Sequence, residues 1–328
     1  MKKTLIASAI AATLSAGASA TDNASPGLAA SSDTMLDIYG NINLVHVSES
    51  TNTGLPGAQD LNVNEMKDNL STIGFRQSHQ ISEGVEGFFK AEFEYNGDNK
   101  NEGSGIDKLD EAYVGIRGDF GAIQIGSDDT VYEWADMVDT DEYVGLIDSE
   151  IAADQEGDNI QYVSPEIAEG LVLGVTAPTD SDTTFGGALA AKYVMDNLNV
   201  VLAYSLGREE GLAEDGDTLA LAASYTINDL MLIGQYETKD SVKNLKDGKD
   251  FAAAQAIYNM GVNTFVFGYG MTMYDNNNLE DTSTFYLQAL HNFSEQMYTY
   301  LEFTDSQNVD GVDDKERQIL AVGAAYNF

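Results

Sequence analysis

The stretch 317–328 alternates between two faces and finishes on an aromatic side chain. Its apolar face carries Leu320, Val322, Ala324, Tyr326 and Phe328. Alternation with a period of two predicts a β-strand with one apolar side. A terminal strand of this kind is typical of a transmembrane sheet closed on itself, because pairing the last strand with the first removes both edges. We therefore expect an all-β barrel that this stretch closes.

The first twenty residues carry the three parts of a secretory signal in order. Two lysines precede an apolar stretch at 5–14, and an Ala-Ser-Ala cleavage site follows at 18–20. We expect residues 1–20 to be a signal peptide, in preference to an N-terminal helix of the mature protein. Residues 21–34 are rich in Ser, Ala and Gly and are expected to form a flexible segment before a barrel domain at 35–328.

Composition excludes several classes of protein. The chain has 54 acidic and 16 basic residues, a net charge of −38, and no cysteine. Nucleic-acid binding needs clustered Lys and Arg, so this charge argues against nucleic acid as a partner and favours cations near the protein. Beyond the leader, no stretch approaches the roughly 18 apolar residues of a membrane helix. Without disulfides, the fold must be held by burial or by closed backbone pairing.

Sixteen strand-like segments follow one another at short intervals. They lie at 35–47, 71–80, 85–95, 109–117, 122–127, 159–163, 171–177, 185–195, 198–206, 217–226, 230–239, 250–258, 262–273, 282–291, 296–304 and 318–328. Turns of a few residues alternate with longer connections that are rich in acids. This alternation predicts a 16-stranded antiparallel transmembrane β-barrel with short periplasmic turns and long external loops, whereas a soluble sandwich would not concentrate its acids on every second connection.

Single strands show an apolar face opposite a small or polar one. Lys90 shares its face with Glu92 and Glu94, opposite Phe89 and Phe93. A lysine facing lipid at the bilayer midplane costs about 2–4 kcal/mol, so Lys90 is expected to face inward, into water. Recurrent Tyr and Phe near strand ends predict an aromatic girdle, although each is also an ordinary β-former. The barrel is therefore expected to surround an aqueous channel.

The longest connection, 127–158, holds twelve acids, no Lys or Arg, and the only tryptophan of the chain, Trp134. A purely solvated loop does not need the apolar residues that interrupt these acids, among them Val138 and Leu146. We predict that this third loop folds into the lumen and constricts it, so that its acids act as an electrostatic filter. The alternative is an acidic external loop that is simply dissolved in water.

Four short motifs together resemble one family. They are Asp-Ile-Tyr-Gly at 37–40, Ser-Thr-Ile-Gly-Phe-Arg at 71–76, Ala-Tyr-Val-Gly-Ile-Arg-Gly-Asp-Phe-Gly at 112–121 and Ala-Ala-Tyr-Asn-Phe at 324–328. In their order and spacing, the chain resembles the general diffusion porins of Gram-negative outer membranes over essentially all its length after the leader. The resemblance implies a homotrimer in the outer membrane, with the third loop opposite a ladder of wall arginines. It also implies that the barrel assembly machinery recognises Phe328 and Tyr326 as an assembly signal.

Few of the wall bases that the resemblance implies are present. Arg76 matches one of them, whereas Asn41, Thr72 and Val163 stand where the family has basic residues. An often basic position before the motif at 112–121 is also occupied by acids. Because acids then face few bases, the pore is expected to be more cation-selective than is usual in the family.

The candidate constriction residues are of two kinds, bases on the wall and acids on the third loop. They are Arg76, Lys90 and Lys192 on the wall and Glu133, Asp136, Asp139 and Asp141 on the loop. By resemblance, Asp136 stands for the first loop acid of the family, and Asp139 or Asp141 for the second. The family's Pro-Glu-Phe-Gly-Gly string is absent from this loop.

No cofactor is expected. Acid-rich loops such as 305–314 suit loosely bound Ca²⁺ or Mg²⁺, which would bridge to the phosphates of lipopolysaccharide. The alternative is a charged loop that is simply solvated.

The three histidines, His46, His79 and His291, show no metal-ligand spacing, and neither a G-x-S-x-G string nor a cysteine nucleophile is present. The sequence therefore does not predict an enzyme.

Three functions are compatible with this sequence. The first is passive diffusion of small hydrophilic solutes and ions through the outer membrane, with a preference for cations. The second is a sugar-specific channel, which would need aromatic residues along the lumen, for which Trp134 is a candidate. The third is a surface adhesion protein for which the barrel serves as an anchor.

Overall fold

The computed structural model describes residues 35–55, 59–99, 105–146, 156–179, 185–207, 216–241 and 248–328. The expected signal peptide and the segment 21–34 lie outside these residues. The strands are β1 Asp37–Thr53, β2 Leu61–Asp68, β3 Ser71–Ser82, β4 Val85–Tyr95, β5 Ile106–Gly118, β6 Gly121–Asp129, β7 Glu156–Val163, β8 Leu171–Pro178, β9 Phe185–Met195, β10 Leu198–Gly207, β11 Thr218–Ile227, β12 Leu230–Lys239, β13 Lys249–Met260, β14 Asn263–Tyr274, β15 Thr282–Asn292, β16 Met297–Gln307 and β17 Lys315–Asn327. Two 3₁₀ helices are described, Val131–Ala135 and Val309–Gly311, and no helix in the described residues is long and apolar enough to cross a bilayer.

The strands form one antiparallel sheet that closes on itself. The last strand, β17, pairs with β1 from Asn41 opposite Asn327 to Thr53 opposite Lys315. The backbone amide groups of Gly40 and Phe328 also exchange two hydrogen bonds of 3.0 Å, so the pairing continues to the final residue. The prediction that 318–328 closes a barrel is therefore confirmed.

Two of the strands share one place in the barrel. Residues 44–51 of β1 pair with β2, and residues 37–40 of β1 pair with β3. The interruption falls at 69–70, where Leu70 adopts a left-handed backbone with φ of 56°. Because β2 and β3 are two halves of one strand, the barrel has sixteen strand positions, as the sequence predicts.

The sequence prediction was wrong about 48–70, which it assigned to a loop. The structure instead extends β1 to Thr53 and pairs it with β2 on one side and with β17 on the other. Residues 48–53 of this extension are all polar, and the apolar residues of β2, Leu61, Val63 and Met66, do not share one face. Period-two alternation was therefore absent, and backbone pairing alone defines these strands.

The outer face of the barrel is apolar. On β17, Leu320 and Val322 are 45% and 48% exposed, whereas the intervening Ala321 is fully buried. A continuous apolar outer face is unfavourable in water and suits contact with the hydrocarbon layer of a bilayer. Outward aromatic residues such as Tyr225 and Tyr258 lie close to the short turns, as expected for an interfacial girdle.

The expectation of a small or polar inner face was only partly right. Val47 on β1, Val201 on β10 and Phe251 on β13 face inward and are fully buried. They form parts of three apolar clusters that also contain residues from the connection between β6 and β7. The inner wall is apolar at these places because a chain segment packs against it inside the barrel.

Candidate pore-lining site

Loop L3, residues 130–155, connects β6 to β7 and is described as far as Leu146. Its first turn is fixed by two threonines. The Tyr132 backbone N–H donates to Thr130 Oγ1 at 3.3 Å, which caps the 3₁₀ helix, and the Val131 N–H donates to Thr176 Oγ1 on β8 at 3.0 Å. Because Thr176 lies on the inner face of the wall, these bonds direct L3 into the lumen.

The first anchor of L3 is an apolar contact with β8 to β11. The buried members of this cluster are Val131, Tyr132, Ala135, Ala188, Ala190, Val201, Ala203, Ala220 and Ala222. Alanines on the wall let the loop approach closely. Gly174 has the same effect, because a Cβ at this position would lie 2.6 Å from Trp134 Cη2 and from Val131 Cγ1. The sequence signal for this contact is the run of inward alanines on β9, β10 and β11.

The Tyr132 hydroxyl ties this anchor to a buried acid. It donates to Glu237 Oε2 on β12 at 2.7 Å. Burial, followed by the charge of Glu237, raises the pKa of Tyr132 well above its ordinary value, so the phenol stays a proton donor throughout the neutral range.

Replacing Tyr132 with phenylalanine is expected to destabilise the docked loop by about 1–3 kcal/mol. The substitution keeps the ring and leaves the buried Glu237 carboxylate without one donor. Thermal unfolding of the detergent-solubilised protein measures the effect, and Tyr225→Phe on the outer face is the matched control. Equal melting temperatures for the two variants would contradict the role of this bond.

The second anchor consists of two glutamines on the wall. Gln235 Oε1 on β12 accepts hydrogen bonds from the backbone N–H groups of Met137 at 2.8 Å and Val138 at 3.1 Å. Gln255 on β13 donates to the Val138 carbonyl at 2.6 Å and accepts from Thr140 Oγ1 at 2.8 Å. The amide side chains thus pair with loop backbone groups that the barrel would otherwise leave buried and unsatisfied.

The third anchor is the carboxylate of Glu302 on β16, which is 1% exposed. It accepts from three successive backbone N–H groups of L3, at residues 142, 143 and 144, over 2.6, 3.0 and 3.3 Å. Tyr286 Oη and Gln288 Nε2 donate to it from β15 at 2.9 and 3.0 Å. Five donors around one buried carboxylate make this the strongest attachment of the loop in the described residues.

The break between β2 and β3 also provides a contact that holds L3. Asn69, at the break, donates from Nδ2 to the Glu142 carbonyl at 2.6 Å and to Tyr300 Oη at 2.9 Å. The Glu142 carboxylate accepts from Tyr298 Oη at 2.8 Å. L3 therefore follows the inner wall from β8 to β16 and reaches the strand position shared by β2 and β3.

The predicted loop acids differ in their surroundings. Asp139 and Asp141 are buried, and Asp141 lies against Gly145, where a Cβ would clash with the Asp141 carboxylate, so glycine is needed for the close approach. Asp136 is half-buried and accepts from Gln235 Nε2 at 3.3 Å, and Glu133 lies half-buried in the 3₁₀ helix. The structure thus places the four acids along one stretch of L3, and their role in the constriction stays a prediction.

The predicted wall bases are mostly paired with acids. Arg76 Nε lies 2.7 Å from Asp37 Oδ2, and Lys90 Nζ lies 2.6 Å from Glu111 Oε2. Lys192 faces inward on β9 beside Val201 of β10. In the described part of the chain it is the one base for which neither an ion pair nor a hydrogen bond is found.

Sequence reasoning missed Gln235, Gln255 and Glu302. Each lies on the inner face of a strand that was recognised, so the alternation could place the side chain inside the barrel. The sequence could not show that these residues meet L3, because the contacts join positions about 100 to 160 residues apart. Among the described residues, no group of three His, Cys, Asp or Glu is arranged to hold a metal ion.

A closed 16-stranded antiparallel barrel with a connection fixed inside its lumen defines the class of channel-forming outer-membrane proteins. The chain belongs to the Gram-negative porin family, which it matches over residues 7–311. The family and the fold are those of channels, and the protein is located in the outer membrane.

Individual relatives agree with this family. A monosaccharide porin of Halomonas sp. and the major outer membrane protein of Halomonas elongata are each 29% identical over the full length of both chains. The anion-selective porin of Comamonas acidovorans superimposes with a TM-score of 0.72, covering 90% of this chain and 100% of that chain, at 16% identity. At that identity the superposition shows the shared fold alone.

Proposed function

We propose that this porin lets small hydrophilic solutes and ions diffuse passively across the outer membrane, with a preference for cations. Passive diffusion is supported by the closed barrel, because L3 packs against one side of the wall and narrows the lumen from that side. The cation preference follows from the negative charge that remains on the inner face after each paired base is matched with its acid.

One observation carries the cation preference, namely the pairing of the bases on the inner face. Arg76, Lys90, Arg117 and Arg317 each have a carboxylate oxygen within 3.0 Å. A paired base contributes little net field, and acids far outnumber bases in the chain. Among the described bases, Lys192 is the one for which neither an ion pair nor a hydrogen bond is found, so unpaired positive charge is scarce along the path of an ion.

We further propose the assembly that the family resemblance implies. Residues 1–20 are removed after export, the mature chain forms a homotrimer, and Phe328 with Tyr326 is read by the barrel assembly machinery. Both aromatic residues are exposed on the outer face at the short-turn end, where a partner can reach them. The acidic loops face lipopolysaccharide, and Ca²⁺ or Mg²⁺ held loosely there would bridge carboxylates to its phosphates.

Single-channel recording in planar bilayers tests the proposed function. We expect ohmic conductance steps in groups of three and a reversal potential in a KCl gradient that indicates K⁺ over Cl⁻. The double variant Asp136→Asn, Asp139→Asn is expected to reduce this preference by roughly three- to fivefold for each charge that faces the ion path. An unchanged preference would refute a constriction role for these two acids, and absent conductance would refute the channel.

A sugar-conducting channel is the second candidate, because the Halomonas sp. relative is described as a monosaccharide porin. Trp134, the aromatic residue proposed for sugar contact, packs against the wall at Gly174 and is only partly buried. Liposome swelling with a monosaccharide and with an uncharged non-sugar of equal size distinguishes the two candidates. Faster entry of the sugar, or block of ion current by it, would favour the second.

A further inference from the structure

A row of inward residues, one on each strand from β3 to β7, lines a cavity of about 360 Å³ at the short-turn end of the barrel. The strand register places them side by side, in the order Gln80, Glu86, Arg117, Ala122 and Val163. Glycines of the adjoining turns also line the cavity, so few side chains fill it. A cavity of this volume is within the usual range of small-molecule sites.

The centre of the row is an ion pair with unused hydrogen-bonding capacity. Arg117 Nε and Nη2 lie 2.9 and 2.8 Å from the same carboxylate oxygen, Glu86 Oε2. Among the described residues, neither Glu86 Oε1 nor Arg117 Nη1 has a hydrogen-bond partner. The Arg117 and Glu86 side chains are 21% and 45% exposed, so a solute in the cavity can reach both.

The guanidinium group of Arg117 is held in place before any solute arrives. Its Cζ lies 5.7 Å from the centre of the Phe88 ring, and this ring packs edge-on against Tyr113. A Cβ at Gly115 would lie 2.4 Å from Phe88 Cζ, so the glycine leaves the room that the ring occupies. Because the ion pair and the ring contact restrain Arg117, little side-chain freedom is lost when a ligand binds.

The sign of the two charges defines the class of solute that fits. A solute with one charge is attracted by one member of the pair and repelled by the other, which lies within 3 Å of the first. A solute with both charges on neighbouring atoms satisfies both members. Its carboxylate accepts charge-assisted hydrogen bonds from Arg117, and its ammonium group donates to Glu86.

We propose that this cavity binds free α-amino acids, as zwitterions, while they pass through the barrel. Ala122 and Val163 continue the row beyond Arg117 and offer methyl groups to a small apolar side chain. Because both charged side chains are partly in water, the binding is weak, in the millimolar range, and allows release. This inference rests on the proposed channel function, since it places the site on a path of diffusion.

Four solutes with the same number of heavy atoms test the charge requirement. L-Alanine carries both charges, lactate only the negative one, alaninamide only the positive one, and lactamide neither. We expect L-alanine to bind the detergent-solubilised, full-length porin roughly tenfold more tightly than each of the others, because each of them lacks at least one charge-assisted hydrogen bond. Titration followed by saturation-transfer NMR measures the four affinities.

Two variants change the preference in opposite directions, which faulty folding would not imitate. Glu86→Gln removes the partner of the ammonium group, so L-alanine is expected to bind no better than lactate. Arg117→Gln removes the partner of the carboxylate, so L-alanine should bind no better than alaninamide. The matched controls are Glu49→Gln and Arg317→Gln, which disrupt an inward ion pair of 3.0 Å between β1 and β17 and should leave L-alanine binding unchanged.

Conductance in planar bilayers separates the site from the channel. A porin that conducts but binds the four solutes equally, or binds none of them, would overturn the amino-acid site and leave the proposed channel standing. Tighter binding of a monosaccharide than of L-alanine would overturn it as well, in favour of a cavity for hydroxyl groups. Protein that binds L-alanine without conducting would refute the channel, and with it the place of this site on a path of diffusion.

Discussion

Replacing Glu302 with alanine is expected to release the far end of L3 from the wall and to raise single-channel conductance and current noise. The substitution removes the acceptor for three loop N–H groups, for Tyr286 and for Gln288. Leaving these buried donors unpaired costs about 3–5 kcal/mol, which is enough to favour an undocked loop. Recording in planar bilayers, together with thermal unfolding, measures both consequences.

Two further variants separate the anchor from a simple loss of charge. Glu302→Gln keeps the size of the side chain but turns one acceptor into a donor that faces other donors, so an intermediate effect is expected. Glu316→Ala removes an exposed acid from β17 and should leave conductance unchanged. If Glu302→Ala conducted and melted like the wild type, the third anchor would not hold the loop.

Gly174→Val is expected to displace the first anchor. A Cβ at this position would meet Trp134 and Val131 at 2.6 Å, well inside van der Waals contact, so the 3₁₀ helix must move away from β8. Overpacking of this kind costs about 1–3 kcal/mol. Because Trp134 is the only tryptophan, its fluorescence emission reports the displacement directly, and a shift to longer wavelength is expected as the ring becomes wetter.

Gly234→Val is the matched control for this prediction. Gly234 is exposed on β12, and a Cβ there would meet nothing within 4 Å. Tryptophan emission and conductance should therefore stay at their wild-type values. An unshifted emission in Gly174→Val would mean that the wall at β8 does not fix the position of the loop.

The barrel could be predicted from the sequence because the apolar alternation of each lipid-facing strand is visible within a few neighbouring residues. Residues such as Leu320 and Val322 alternate with buried neighbours over a few positions, and this pattern needs no knowledge of distant partners. The same logic failed for β2, because its few apolar residues do not share one face. The extension of β1 and β2 follows from backbone hydrogen bonds, which no side-chain pattern records.

The entry of L3 into the lumen could also be anticipated, because Val138 and Leu146 would be out of place in a solvated loop and are fully buried in the structure. Its exact path could not be anticipated. Nothing in the sequence distinguishes Glu302 from the other inward acids, because its contact with the L3 backbone arises only in the folded barrel. In the same way, the register of β4 with β5 places Glu111 beside Lys90, and so converts a predicted wall base into half of an ion pair.

The anchors of L3 have a consequence for the order of assembly. The described part of L3 lies at 130–146, but its anchors come about 100 to 160 residues later in the chain, at Gln235, Gln255, Tyr286 and Glu302. Contacts of such long sequence separation form late, since the chain between them must first be ordered. A barrel that still lacks β16 therefore holds L3 by its first two anchors alone, and the far end of the loop can dock only when the last strands join the sheet.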